Sequence, residues 1–353
     1  MRLLPRRLPS QRPRRPAMKP AVLAASGLLA SSFVAALPAQ AQGLPDMACP
    51  AKTYQATLAP GVPATITGRL CSRGSAAGKA LIIAEPGATY SSAYFNWPQD
   101  QAHYSFAWAA TLAGFAVLVL DEPSTPPQDG PDYLPAADLT IPNDAAALHQ
   151  VIAAQTSKRI ILIGHSVGSY VSLTENATWH DPAVAGLILT AALSQENPAG
   201  VAQVTASAYP AQLDPKFAAD NLPDGYLTTQ PGTRGSDFYA AGDADPAVIA
   251  EDEMLKATTT GQTLAGIPDA EAPALSQAVR VPVMLQVGQD DILNCGPGLS
   301  CADPAAIEAR EAGDWNVRVT AFVLPGSGHD LTTALNGPLA TAAALAWALP
   351  LAR

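Results

Sequence analysis

The sequence is poor in charged residues, histidine and cysteine. Charged residues make up 14% of the 353 residues and hydrophobic residues 48%, and there are only five histidines and four cysteines. An intrinsically disordered chain needs low hydrophobicity and high charge, so this composition excludes one. The length suits one large α/β domain or two small domains, with ample material for a core.

Basic residues are scarce beyond the N-terminal segment. Residues 1–41 hold seven of the 20 lysines and arginines and no acidic residue, so the formal net charge moves from −10 for the whole chain to −17 without them. No basic stripe and no second long apolar run follows. A protein this acidic repels nucleic acid and anionic membrane surfaces. The sequence therefore predicts neither nucleic-acid binding nor a membrane span in residues 42–353.

The first 41 residues have the layout of a secretory signal peptide. From Met18, a lysine precedes a short apolar run, which ends in Ala39-Gln40-Ala41, a small-x-small cleavage site. Met18 is an alternative start, because the signal is complete from there. A membrane anchor is the rival interpretation, but the apolar run is shorter than the ~20 residues that a span needs. We predict a secreted or periplasmic protein.

The four cysteines all lie in the predicted mature part, at positions 49, 71, 295 and 301. An even number of cysteines in an oxidising compartment indicates disulfides. Three connectivities are open, and the local pairings Cys49–Cys71 and Cys295–Cys301 are favoured. A metal site is the alternative, but no C-x-x-C or Cys/His pair has ligand spacing. We predict no metal and no cofactor.

Strand-like and helix-like segments alternate along the mature chain, which predicts a doubly wound, mostly parallel α/β fold. Several strand-like runs are continuous in Val, Ile and Leu, as in strands buried on both faces. The predicted strands are ATITGRL from Ala64, ALIIAEP from Ala80, FAVLVLD from Phe115, RIILIG from Arg159, AGLILTA from Ala185, PVMLQVG from Pro282 and VRVTAFVLP from Val317.

A stretch from about residue 194 to 279 interrupts this alternation. It carries no clear buried strand and is rich in Pro, Gly, Asp and Thr. A long insertion between two sheet strands is typical of a cap or lid over the strand ends. A disordered loop is the alternative, but apolar anchors such as Tyr226 and Phe238 favour an ordered cap.

Gly164-His165-Ser166-Val167-Gly168 fits the pattern G-x-S-x-G. The bare pattern is weak, but here an apolar strand leads into it and a helix-like segment follows. A serine on such a sharp turn projects above the sheet, and glycines at the flanking positions remove side chains that would collide with strand and helix. Ser166 is the candidate nucleophile. A plain strand-to-helix turn with a capping serine is the alternative.

A serine hydroxyl needs a base, and His329 is the candidate. It follows the last predicted strand, at the carboxyl edge of the sheet where Ser166 also lies. Asp291, in the loop after the strand PVMLQVG, is the candidate acid that orients the imidazole. Asp290 is the close alternative and Asp121 a weaker one. The order serine, aspartate, histidine is the order used by this kind of fold.

The transition state of acyl transfer carries a negative oxygen that needs amide donors. The backbone N–H of Val167, directly after the candidate nucleophile, is one predicted donor. The second is expected from the loop after ALIIAEP, where Gly87 lets the backbone approach closely and Ala88 supplies the amide.

These motifs resemble those of the α/β-hydrolase superfamily, over nearly the whole mature chain. The segments GHSVG, GQDD and GSGHD fall in that family's order. The resemblance implies hydrolysis of a small-molecule carboxylic ester or lactone. Many members have His-Gly at the oxyanion loop, whereas Pro86 precedes Gly87 here, which puts the second donor in doubt. Acyltransferase, peptidase and catalytically silent binding protein are the rival functions. Tyr90, Trp97 and Tyr226 are candidate pocket walls.

Overall fold

The chain is described by a computed structural model that covers residues 45–125 and 133–353. The predicted signal peptide, residues 1–41, lies outside the described residues and stays a prediction. Within the described part, no helix is long and apolar enough to cross a membrane.

The described residues form strands and helices in an alternating order. The strands are β1 (Met47–Ala48), β2 (Ala51–Leu58), β3 (Val62–Arg73), β4 (Leu81–Glu85), β5 (Ala116–Leu120), β6 (Ile160–His165), β7 (Val184–Thr190), β8 (Ala208–Pro210), β9 (Tyr226–Thr229), β10 (Thr259–Thr260), β11 (Val283–Gly288) and β12 (Val319–Leu324). The helices are α1 (Gln101–Tyr104), α2 (Phe106–Leu112), α3 (Ile141–Ala153), α4 (Val167–Trp179), α5 (Pro198–Ser207), α6 (Arg234–Phe238), α7 (Pro246–Leu255), α8 (Gly261–Ala265), α9 (Ile267–Ala270), α10 (Pro273–Ser276), α11 (Pro304–Glu311) and α12 (Gly337–Ala348).

The large sheet has the strand order β1-β3-β5-β4-β6-β7-β11-β12, with β2 paired to β3. The six strands from β5 to β12 run parallel, and β1, β2 and β3 form an antiparallel end. All seven predicted strands lie in this sheet. The predicted doubly wound, mostly parallel α/β fold is confirmed.

Each face of the sheet is covered by its own hydrophobic core. Side chains that point to one face, such as Ile83 and Leu162, pack with α3 and α4. Side chains one position away, such as Ile82 and Ile161, pack with α2 and α12. Because both faces are covered, β4, β5, β6 and β11 are buried at every position, and this explains their unbroken apolar runs.

Two disulfides join the cysteines in the favoured local pairings. Cys49 bonds to Cys71 on β3, and Cys295 bonds to Cys301 in the loop after β11. The first pair lies at the antiparallel end of the sheet, and the second lies in the loop that also carries Asp291.

The segment from residue 194 to 279 is ordered into helices α5 to α10 and a small antiparallel sheet of β8, β9 and β10. Among the described residues, no strand of this segment pairs with the large sheet. The sequence did not predict these three strands, which are only two to four residues long.

Candidate active site

Ser166 lies in the turn between β6 and α4. Its φ of 51° and ψ of −121° fall in a region that residues with a β-carbon avoid. A β-carbon at Gly164 would collide with the backbone at the start of α4, and one at Gly168 would collide with the carbonyls that end β4. The strand, the turn and the helix can therefore approach this closely only when both positions are glycine.

His329 and Asp291 form a buried pair at the carboxyl edge of the sheet. His329 Nδ1 lies 3.0 Å from Asp291 Oδ2 and 3.1 Å from Oδ1. The remaining capacity of the carboxylate is used locally, because the Leu293 amide donates to Oδ1 at 2.9 Å and Asn294 Nδ2 donates to Oδ2 at 2.8 Å. Four hydrogen-bond contacts thus fix the orientation of the carboxylate, and the carboxylate in turn orients the imidazole ring of His329.

The two alternative aspartates occupy other environments. Asp290 is exposed, and its side chain makes no hydrogen bond among the described residues. Asp121 accepts hydrogen bonds from the Ser92 amide at 2.8 Å and from the Thr67 hydroxyl at 2.9 Å. Of the three candidate acids, the structure brings Asp291 to His329.

The pKa values of the pair move in opposite directions. Burial alone would raise the pKa of Asp291, but the charge of His329 and the hydrogen bonds from His329, Asn294 and Leu293 lower it below its usual range. Burial alone would lower the pKa of His329, but the Asp291 carboxylate raises it above 6.5. The carboxylate therefore favours the imidazolium, the form that a base takes after it accepts a proton.

The other four histidines make contacts that do not involve the Asp291 carboxylate. His149 lies 3.1 Å from Glu175, His103 contacts the Leu335 carbonyl, and His180 contacts the Ala278 carbonyl. His165 is fully buried and stacks on Tyr94 with ring centroids 4.1 Å apart.

One cavity of about 180 Å³ joins the predicted site residues. Ser166, Val167, Ala88 and His329 all line it. No hydrogen bond between the Ser166 hydroxyl and the His329 imidazole is present in the described part of the chain. Bonds of this kind are commonly long in unliganded enzymes and tighten when substrate binds. Tyr90 also lines the cavity, whereas Trp97 and Tyr226, the other proposed walls, do not.

Much of the remaining cavity wall comes from the inserted segment, and apart from Glu196 its residues there are apolar or threonine. The residues of that segment in the wall are Glu196, Val201, Val204, Thr205, Ala208, Leu227, Thr228, Thr229, Phe238, Thr259, Leu264, Ile267 and Pro268.

The two predicted amide donors belong to Val167 and Ala88, which both line the cavity. Val167 is the first residue of α4, so its N–H has no intrahelical acceptor. Neither it nor the Ala88 amide donates to another group among the described residues. Gly87 lets the loop after β4 approach the Ser166 turn closely, since a β-carbon at Gly87 would lie 3.0 Å from Ser166 Cβ. Both amides are free to bind an anionic oxygen.

A buried cluster of side chains lies beside the site. Tyr90 Oη donates to Asp330 Oδ2 at 2.5 Å, and His165 Nε2 lies 3.2 Å from Asp330 Oδ1 without hydrogen-bond geometry. Burial holds the pKa of His165 well below its usual value, so this contact is not an ion pair. Tyr90, His165 and Asp330 are near neighbours in sequence of Ala88, Ser166 and His329.

Sequence reasoning missed two residues of the insertion. Glu196 lines the cavity, and Arg234 packs against the cavity residues Tyr90 and Phe238. No motif marks either residue, because each acts across long sequence separations. Among the described residues, no group of three or more His, Cys, Asp or Glu side chains is arranged to hold a metal ion.

Comparisons with known proteins agree with this architecture. The model of the alpha/beta hydrolase family matches residues 81–344. A comparison with curated proteins gives no significant match. Solved structures that resemble the chain include an alpha/beta hydrolase fold protein from Chitinophaga pinensis, with a TM-score of 0.56, 13% identity, and coverage of 85% of this chain and 97% of that one.

Two further structures carry names that state an activity. Carboxylesterase CesB from Bacillus subtilis has a TM-score of 0.53 and 13% identity, with coverage of 84% of this chain and 91% of that one. The monoacylglycerol lipase of Paleococcus ferrophilus has a TM-score of 0.51 and 14% identity, with coverage of 86% and 99%. At these identities the likeness shows the fold. The family model matches most of the chain, and this match establishes that the chain belongs to the alpha/beta hydrolase family.

Proposed function

We propose that the protein hydrolyses carboxylic esters or lactones through an acyl-enzyme intermediate on Ser166. The observation that supports this most directly is the buried His329–Asp291 pair, whose imidazole lines the same cavity as the strained Ser166. A serine on a strained turn, a base held by a carboxylate and two free amides are the parts that acyl transfer requires.

In the first half of the reaction, Ser166 Oγ attacks the acyl carbon while His329 Nε2 takes the hydroxyl proton. The tetrahedral oxyanion accepts hydrogen bonds from the amides of Val167 and Ala88. The bond to the alkoxy oxygen then breaks, and His329 gives its proton to the leaving alcohol. In the second half, water attacks the acyl carbon, His329 takes a proton from it, and the acid leaves as the proton returns to Ser166.

The volume and lining of the cavity favour a small, mostly apolar substrate. Its volume of about 180 Å³ lies below the range of about 300–1,000 Å³ that is typical of pockets for drug-sized ligands. Because so much of its wall comes from residues 194–279, we propose that this segment is the substrate-binding cap.

We also propose a secreted or periplasmic location. The two disulfides support an oxidising compartment.

The test is turnover of a chromogenic short-chain ester, such as p-nitrophenyl acetate or butyrate, by the native protein and by Ser166→Ala. We expect the substitution to lower kcat by at least about 10³-fold. Ser75→Ala, at an exposed turn, serves as the matched control and keeps full activity. Equal low turnover by native protein and Ser166→Ala would instead favour a silent binding protein. Products measured with added alcohol separate hydrolysis from acyl transfer.

A further inference from the structure

Arg234 is a fully buried arginine that the inserted segment contributes, at the start of α6. Arginine is almost never fully buried without a partner. Here Asp252 Oδ2 accepts a hydrogen bond from Nε at 2.8 Å. The guanidinium carbon also lies 4.1 Å from the centre of the Tyr90 ring and 4.9 Å from that of Phe238. These contacts hold the guanidinium in one orientation.

In that orientation, Arg234 reaches out of the insertion to the loop after β4. Its Nη1 donates to the Thr89 hydroxyl at 3.0 Å. The Thr89 carbonyl is held by the insertion as well, because it accepts from the Ala257 amide at 2.8 Å. Thr89 is therefore attached to the insertion through both its side chain and its backbone.

Thr89 occupies a strained position in a turn around Ala88. The Tyr90 amide donates to the Gly87 carbonyl at 2.9 Å, which makes Ala88 and Thr89 the two central residues of the turn. The φ of Thr89 is +65°. Type II turns need a positive φ at this third position and favour glycine there. A β-branched residue holds this conformation only when its surroundings enforce it.

We propose that Arg234 is a positioning residue that holds this turn through Thr89, and thereby aims the Ala88 amide at the oxyanion. The inference rests on the proposed function, because it assigns Ala88 the role of a donor. It gives the insertion a second role besides forming the cavity wall: the segment that surrounds the substrate also fixes half of the oxyanion hole.

The hydroxyl of Thr89 can be removed and restored in a matched pair of variants. Thr89→Ala deletes the acceptor of the Arg234 hydrogen bond, and Thr89→Ser keeps it. Both leave the Arg234–Asp252 pair untouched. We expect Thr89→Ala to lower kcat about 10-fold with little change in KM, since an oxyanion contact acts in the transition state. Thr89→Ser should stay within about 2-fold of the native kcat.

Affinity for a transition-state analogue distinguishes positioning from simple support of the fold. A small alkyl boronic acid, which forms a tetrahedral anion on the serine, should bind Thr89→Ala more weakly by the same factor as the fall in kcat. A purely structural role would lower the melting temperature and leave the kcat and the inhibition constant of the folded protein unchanged, and that result would overturn the proposal.

A double-mutant cycle with Arg234→Lys tests whether the effect passes through the arginine. Lysine keeps the charge beside Asp252 but cannot maintain the forked geometry. The effects of Arg234→Lys and Thr89→Ala on kcat should be clearly less than additive when combined. Additive effects would overturn the coupling. If Arg234→Lys does not fold, the Thr89 pair decides alone.

Failure of the inference is separate from failure of the proposed function. Turnover that is equal in native protein and Ser166→Ala would reject the esterase proposal. Turnover that depends on Ser166 but is equal in Thr89→Ala and Thr89→Ser would reject only the role of Arg234.

Discussion

Two adjacent aspartates, Asp290 and Asp291, show how little of a residue's chemistry is set by its identity. Asp290 is exposed, whereas Asp291 is fully buried and contacts His329 at 3.0 Å. Of the two carboxylates, only that of Asp291 lies within hydrogen-bonding distance of the imidazole in the described structure. The two residues therefore differ in burial and in partner, although they share one side-chain chemistry.

Asp291→Asn should lower kcat by about 10⁴-fold, as expected when a base loses the group that orients it. Asp290→Asn is the matched control and should change kcat less than 2-fold, because its side chain faces solvent. Steady-state kinetics with the chromogenic ester measure both. A comparable loss in both variants would contradict the assignment of Asp291.

The pH dependence of kcat/KM should reflect the same His329–Asp291 pair. His329 acts as a base only when it is neutral, and Asp291 raises its pKa above 6.5. The kcat/KM of the native protein should therefore fall as the pH drops through a value above 6.5. In Asp291→Asn the acid limb of the residual activity should move to lower pH. An acid limb that does not move would argue against the pairing.

Glu196 is the acidic residue in the described cavity wall, and its carboxylate makes no described hydrogen bond. Burial, together with the nearby Glu271, raises its pKa to about 7. The carboxyl is therefore neutral in acid and becomes an anion as the pH rises through neutrality. An anion in a small apolar cavity repels a second negative charge.

We therefore expect the native protein to discriminate against substrates with an anionic acyl chain, and to do so more strongly above pH 7. The ratio of kcat/KM for p-nitrophenyl butyrate to that for p-nitrophenyl hemisuccinate, measured from pH 6 to 9, should rise about 10-fold. Glu196→Gln keeps the shape and should remove that rise. An identical pH dependence in native protein and variant would exclude a role for this carboxyl.

At the scale of elements, the loop between β11 and α11 carries the candidate acid and is closed by the Cys295–Cys301 disulfide. The Cys295 amide donates to the Asp291 carbonyl at 2.8 Å, and Asn294 binds the Asp291 carboxylate. Cys295 therefore takes part both in the disulfide and in the hydrogen bonds around Asp291. The other disulfide, Cys49–Cys71, lies at the antiparallel end of the sheet and touches none of these groups.

Replacing both Cys295 and Cys301 by serine should lower kcat several-fold and also lower the melting temperature, because the loop that holds Asp291 loses a crosslink. The matched pair of replacements at Cys49 and Cys71 should lower the melting temperature with little change in kcat. Thermal unfolding and steady-state kinetics on the two double variants separate these outcomes. Equal kcat values in both double variants would show that the loop keeps its geometry without the bond.

At the scale of the whole molecule, three buried carboxyls gather near the ends of β4 and β5. Glu85, Glu122 and Asp144 are each at least 95% buried, and none forms an ion pair within the described residues. Burial raises all three pKa values, and that of Glu85 reaches about 8, with further contributions from Asp144 and Asp121. With a pKa of about 8, the Glu85 carboxyl is mostly protonated in the folded protein near neutral pH.

A carboxyl whose pKa is raised by folding makes its full contribution to stability only when the pH is below the pKa of the same group in the unfolded chain. For Glu85 that contribution is lost as the pH rises from 4.5 towards 8. The melting temperature of the native protein should fall over this range. Glu85→Gln should flatten the fall and melt a few degrees higher at pH 8, with little difference at pH 5. Asp224→Asn, at an exposed carboxyl, should leave the curve unchanged. A Glu85→Gln curve that parallels the native one would contradict this account.

Much of the fold could be predicted because its signals are local. Strands such as β4 and β6 are unbroken apolar runs, since both of their faces are covered. The edge strand β2 was missed, because six of its eight positions are exposed or half-buried and its sequence holds no apolar run. The strands of the insertion were missed because two to four residues are too few to show a period.

The sequence by itself determined which segments form the main strands of the sheet, the glycines that a sharp turn requires and the loops that end at one edge of the sheet. These follow from hydrophobic pattern and steric exclusion, which act between near neighbours in the chain. Only the tertiary structure decided which aspartate meets His329, that Glu196 enters the cavity wall, and that Arg234 reaches Thr89, 145 residues away. Those contacts depend on side-chain direction and on the packing of the insertion, and no local pattern in the sequence encodes them.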